Sequence, residues 1–195
     1  MTAVSNASMI VSDTDLLLYH KHRPHICTMD MLQWRGRGPV ARAIRRATGE
    51  TVNHTSVAIR FPSYFAERVF SIEAYYISGL DIYPLSSILS RYEGEVWWYP
   101  IAVEDYGRVV DAARWLLERV GVTRYDTRGC LSNARRILGR DPMPAEAASL
   151  YCSESVFLAW RDGAKIPKLQ KMMLSPVPGR PMEALGLWGE AVRVK

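Results

Sequence analysis

The sequence predicts a single α+β domain over residues 1–195, a small antiparallel sheet flanked by helices. Three observations carry that prediction. Two β-rich runs, Asn53–Phe61 and Arg68–Tyr76, are separated by a turn-prone Pro62-Ser63 and read as an antiparallel hairpin. Apolar residues recur at helical spacing from Pro39 to Thr48 and from Val109 to Val120, with Gly49 and Gly121 just beyond as stops. A chain of 195 residues with 48% hydrophobic content is long enough to bury one good core, and no repeat or linker divides it.

Taken in order, Asp15–Tyr19 (DLLLY) reads as a short buried strand, and Met31–Trp34 as a second strand, or its continuation after a loop containing Pro24. Val40, Ile44 and Ala47 mark the apolar stripe of the Pro39–Thr48 helix, whose arginines take the solvated side. After the hairpin, Glu95–Ile101 (EVWWYPI) has strand composition; Pro100 ends it or places it on a sheet edge. The second half reads as mostly helical, through Leu131–Leu138 and Cys152–Trp160, before a proline-rich stretch from Pro167 to Pro181.

Composition narrows the partners. The formal charge is +5 and the pI about 9.2, but basic residues are spread along the chain and dense only in Arg35–Arg46. That distribution argues against nucleic acid and suits an anionic cell-wall polymer or phospholipid. Three cysteines, Cys27, Cys130 and Cys152, are an odd number without paired spacing, so a disulfide framework is not expected. Met1–Ile10 has no basic and apolar signal pattern, and no apolar run reaches bilayer length. The expectation is a cytoplasmic protein with no transmembrane segment, or one carried in a virion or released by lysis.

Cys152 is the most informative position. It stands in Leu150-Tyr151-Cys152-Ser153-Glu154 at an expected helix start, with Ser149 as N-cap and Glu154 in the first turn. A helix N-terminus favours the thiolate and offers backbone N–H groups to an oxyanion. Alone, a cysteine followed by Val156, Phe157 and Trp160 is equally the pattern of a buried core thiol. A base is needed. His54 is the one histidine in an expected strand, where an imidazole is held accurately, although a strand histidine bonded to a neighbour fits the pattern too. Glu73, on the partner strand, is placed to orient it; its alternative is a solvated carboxylate on the strand's polar face. Tyr151 and Tyr125 are candidates to line an acyl pocket, beside their reading as core aromatics.

The His54 strand, the Ile72-Glu73-Ala74 strand, Tyr125-Asp126 and the Cys152-Ser153-Glu154 helix start, in that order, resemble the YiiX-like branch of the NlpC superfamily of papain-like cysteine hydrolases. That branch is circularly permuted. Papain runs Cys, His, orienter; His54, Glu73, Cys152 is the same cycle opened elsewhere. Asp15–Leu18, or alternatively Asp30–Leu32, resembles the family's opening Gly-Asp followed by apolar residues, and Ser175-Pro176 its late Thr/Ser-Pro turn. Thr14 or Met29 replaces the opening glycine, and Thr55-Ser56 replaces a small apolar pair after the histidine. The resemblance implies a permuted papain-like fold, no cofactor, and a thiolate–imidazolium pair working through an acyl-enzyme. It implies a peptide, cell-wall or acyl substrate, with an amide or isopeptide bond of a peptidoglycan stem peptide expected first and a lipid acyl group as the alternative.

Two other classes compete. His20, His22, His25 and Cys27 crowd eight residues, a density that suits zinc or copper, with His20 and His22 on one side of an extended strand; Pro24 interrupts it, and Lys21 and Arg23 oppose a cation. The fold is also compatible with a non-catalytic component of a larger assembly such as a viral particle.

Overall fold

The computed structural model describes residues 13–61, 68–75, 78–125, 149–172 and 176–195. It is a mixed α+β structure. Strands β1 (Met31–Gly36), β2 (His54–Arg60), β3 (Val69–Tyr75), β4 (Gly79–Pro84), β5 (Gly94–Tyr99) and β8 (Val192–Arg193) form one antiparallel sheet in the order β4-β3-β2-β1-β5-β8. Two-residue strands β6 (Arg124–Tyr125) and β7 (Ser149–Leu150) pair in parallel beside it. The helices are α1 (Asp13–His22), α2 (Pro39–Thr48), α3 (Leu85–Arg91), α4 (Tyr106–Leu117), α5 (Cys152–Leu158), α6 (Pro167–Gln170) and α7 (Arg180–Glu183).

Successive side chains of a strand take opposite faces, and this sorts the core in two. Val57, Ile59, Ile72 and Ala74 pack with Val109 and Leu116 of α4 and with Val156 and Phe157 of α5. Ala58, Leu32, Trp34 and Val96 pack on the other face with Tyr19 of α1 and Leu85 and Leu89 of α3. Both faces are therefore covered.

The expected hairpin is present, with Val57 opposite Ile72 and Arg60 opposite Val69. The α2 bounds agree with the expected helix, and Gly49 closes it with φ 72°, a left-handed cap that glycine adopts without strain. Pro100 ends β5 without placing it at the edge, because β8 pairs beyond it. Asp15–Tyr19 differs from expectation: it belongs to α1, a helix. Half-buried Leu16 and buried Tyr19 stand three residues apart and face the core, while Leu17 and Leu18 are exposed, a one-sided pattern that helical spacing accommodates. The Pro62-Ser63 turn, Tyr76, Asp126, Cys130, Leu131–Leu138 and Ser175 lie outside the described residues.

Candidate active site

Cys152 opens α5, and Tyr151 rather than Ser149 is the N-cap, since Ser149 is taken up in β7. Glu154 reaches back to accept from the Tyr151 backbone N–H at 3.3 Å, so it serves the helix start as expected. The thiol is buried, 7% exposed, and its sulfur accepts from the backbone N–H groups of Ser153 and Thr55. Ser153 contributes the free donor of a helix first turn. Thr55 contributes the donor of a strand just past the last β2–β3 pair, Val57–Ile72.

His54 is the first residue of β2. By alternation it shares a face with Ser56 and Ala58, and with Ser71 and Glu73 of β3. Its Nε2 meets Glu73 Oε2, and a hydrogen bond joins the imidazole to Cys152, which leaves Nδ1 for the sulfur. Cys152 belongs to the core of the opposite face. The three residues therefore meet across the end of the β2–β3 ladder, with half-buried His54 as the link.

Glu73 is 1% exposed and held from behind. Ser71 Oγ donates to Glu73 Oε1 at 2.5 Å, the Ser56 and Ser71 hydroxyls share a bond of 2.9 Å, and Trp34 Nε1 donates to Ser56 Oγ at 2.7 Å. Ser71 has one proton and the carboxylate accepts it, so Ser56 supplies the proton between the two hydroxyls. The chain Trp34, Ser56, Ser71, Glu73 runs in one direction towards His54. None of the first three was expected from sequence. The signal was there in two buried serines on alternate positions, Ser71-x-Glu73 and His54-x-Ser56.

Burial by itself would drive protons off the imidazolium, but the Glu73 charge, then the Cys152 thiolate and the hydrogen bonds to both, raise His54 to about 10. Burial would likewise hold the Cys152 proton on, yet the His54 charge, its hydrogen bond and the two backbone donors bring the thiol below its ordinary value. The two shifts have one cause: each charged partner favours the charged form of the other, which favours a thiolate beside an imidazolium. Tyr75 lies nearly parallel to the imidazole, ring centroids 6.3 Å apart.

A cavity of about 330 Å³ opens onto Cys152 and His54. Both expected tyrosines line it: buried Tyr151 at the helix start and half-buried Tyr125 at the end of β6. Val177 and Pro178 form another wall, which buried Gln33 secures. Gln33 Oε1 accepts from the Gly179 N–H at 3.1 Å and from Thr55 Oγ1 at 2.9 Å, and its Nε2 donates to the Gly179 carbonyl at 3.3 Å. Gly179 has φ 100°, and a Cβ there would stand 2.6 Å from Glu50 Oε2, so the loop requires glycine. Thr55 and Ser56, which depart from the family pattern, thus each hold part of the site.

Of the two positions proposed for the opening Asp, Asp30 is the one that precedes a strand. Met29 before it has φ 68°, the left-handed conformation for which glycine is favoured, so methionine stands there at a backbone cost. The His20–Cys27 segment is not an extended strand. His20 and His22 end α1, where residues two apart diverge by about 200°. Among the described residues no group of three or more His, Cys, Asp and Glu is disposed to hold a metal ion. His54, Glu73 and Cys152 are a poor donor set as they stand, because both imidazole nitrogens are engaged by the other two groups.

No helix among the described residues is long and apolar enough to cross a membrane. No family model and no curated protein sequence matches the chain. Among solved structures it is similar to the crystal structure of the metalloprotein YiiX from Escherichia coli O157:H7, with a TM-score of 0.56 and 16% identity over 87% of this chain and 97% of that one. The likeness shows a shared YiiX-like α+β fold.

Proposed function

We propose that the chain is a cysteine hydrolase of the permuted papain-like type, in the NlpC superfamily, with Cys152 as nucleophile, His54 as base and then acid, and Glu73 as orienter. The observation that carries this reading is the hydrogen-bonded series Cys152–His54–Glu73 at a helix N-terminus. The thiolate attacks an acyl carbon, and the tetrahedral oxyanion takes N–H groups of the α5 first turn. His54 hands its proton to the leaving amine, and the acyl-enzyme is then hydrolysed by a water that His54 deprotonates. Glu73 keeps the imidazole in the tautomer that presents Nδ1 to sulfur.

The bond is an amide or isopeptide, with a peptidoglycan stem peptide as first substrate class. A second reading, an acyl hydrolase for apolar acyl groups, is favoured by the cavity walls Trp34, Ile44, Ile88, Val177 and Pro178. Iodoacetamide labelling tests the mechanism: Cys152 is expected to react faster than Cys27 and Cys130 near neutral pH, and Cys152→Ala is expected to lose all hydrolysis. Equal, slow labelling of the three thiols would remove the catalytic reading and leave an assembly component that keeps the fold. Hydrolysis of peptide amides against acyl esters separates the two substrate classes.

A further inference from the structure

Helix α2 is ten residues long, and none of them is fully buried. Ala41 and Arg45, four apart, turn towards Gly36: a Cβ there would lie 3.1 Å from Ala41 Cβ, and Arg45 donates to the Gly36 carbonyl at 2.6 Å. Ile44, Ala47 and Thr48 line the cavity. The remaining arc points away from the protein. Val40 is 71% exposed, and Arg42, Ala43 and Arg46 are exposed with it. At about 100° per residue these four share one side of the helix, the two arginines on one flank and Val40 on the other.

These arginines differ from others on the surface. Arg35 and Arg193 share Glu95, Arg108 pairs with Asp105, Arg114 with Asp111, and Arg161 with Asp162. Among the described residues Arg46 has no partner, and Arg42 donates only to the Arg37 carbonyl, at 3.1 Å. From Arg35 to Gly49 the chain carries five arginines and no acidic residue. Like charges four apart repel each other, and the first turn of α2 has neither an acidic residue nor a side-chain cap, so the helix dipole adds to the same positive field. Negative charge laid against this arc relieves both. The apolar flank decides its source: an anionic polymer uses the cations alone, whereas a bilayer uses both, with phosphates at the arginines and the acyl boundary at Val40.

We infer that α2 docks the protein on an anionic lipid surface, with Arg42 and Arg46 on the headgroup phosphates and Val40 and Ala43 against the acyl boundary. The docked helix is also a wall of the cavity, so docking turns that side of the protein to the bilayer. The inference does not rest on the hydrolase reading.

Co-sedimentation of the full chain with phosphatidylcholine vesicles, with and without about one third phosphatidylglycerol, tests it. The anionic vesicles are expected to bind at least about tenfold more tightly than the neutral ones and to release the protein in about 0.5 M NaCl. Arg42→Gln/Arg46→Gln is expected to weaken that binding about ten- to thirtyfold. Arg114→Gln/Lys171→Gln removes the same charge from exposed positions on α4 and at the end of α6, and should stay within about threefold of the parent. Val40→Ser is expected to weaken vesicle binding about threefold and Val40→Trp to strengthen it about as much, with binding to polyphosphate unmoved by either. All these positions are exposed, so the variants should unfold at the parent's temperature. No binding to anionic vesicles, equal binding to neutral ones, equal losses from the two charge-removing pairs, or vesicle binding indifferent to Val40 would overturn the inference. So would binding to polyphosphate without binding to vesicles. Cys152→Ala is expected to bind vesicles as the parent does, so failure of the hydrolase reading leaves this surface standing.

Discussion

Glu73 and Asp30 are both fully buried carboxylates, and they keep different company. Among the described residues Asp30 accepts hydrogen bonds from neutral donors, the Cys27 N–H and Trp98 Nε1, each at 2.6 Å, and the Ile101 N–H at 2.8 Å, with the Arg60 charge near by. Burial outweighs those bonds and raises its carboxyl to about 6. It clamps the turn before β1 to β5 and to the segment that follows. Glu73 accepts from Ser71 on one oxygen and meets an ionisable ring on the other, so its charge is spent on the protonation of His54 and, through it, of Cys152. Burial alone does not make a carboxylate functional; the partner decides, because only an ionisable partner converts a buried charge into a changed protonation state.

The comparison breaks most visibly at the proposed nucleophile. Cys152→Ala or His54→Ala is expected to lower hydrolysis at least about 10³-fold with the fold intact, measured as turnover beside circular dichroism. Glu73→Gln keeps the shape and removes the charge, and is expected to cost about 10²- to 10⁴-fold. Its signature is in the pH profile. With Glu73 present, His54 stays protonated until about pH 10, so hydrolysis, which needs the imidazolium as acid, falls only at the alkaline end; in Glu73→Gln that limb moves down towards the ordinary imidazole value of 6.5. An unmoved limb would place Glu73 with Asp30, as a clamp.

Asp30→Asn is expected to leave the rate within a few-fold and to destabilise by about 1–3 kcal/mol in urea unfolding, because the amide turns a donor towards N–H groups that need an acceptor. The wild-type protein carries a pH signature of its own. The folded carboxyl titrates near 6 and the unfolded one near 3.8, so the folded state binds more protons in between. Stability then falls as pH rises through that window, by roughly 3 kcal/mol, and Asp30→Asn should flatten the slope. Ser71→Ala gives the smallest effect, about 1 kcal/mol of stability with a modest loss of rate, and sharpens the comparison by loosening Glu73 without discharging it.

Much of the site was legible because its signals are local. A cysteine followed by Ser-Glu and an apolar run marks a helix start, and His54 and Glu73 stand on runs whose β composition and intervening turn residues announce a hairpin. Other features depend on partners far along the chain. Trp34, Ser56 and Ser71 look like unremarkable strand residues until the register places them in one chain of hydrogen bonds. Asp15–Tyr19 shows the reverse error: three consecutive leucines satisfy a strand locally, and only a core reached by Leu16 and Tyr19 on one side selects the helix. The arginines of α2 read as solvated, yet Arg45 turns in towards Gly36 and Asn53.

By itself the sequence determined the elements and the residue types able to react, because helical and strand periodicity, capping residues and turn chemistry act over a few residues. Tertiary structure decided the meeting of Cys152 with His54 and the run of hydrogen bonds from Trp34 through Ser56 and Ser71 to Glu73. Those depend on where the β2–β3 ladder ends and on which strand lies beside which. Such long-range pairings are set by the packing of two cores on opposite faces of the sheet, and no local pattern in the chain encodes them.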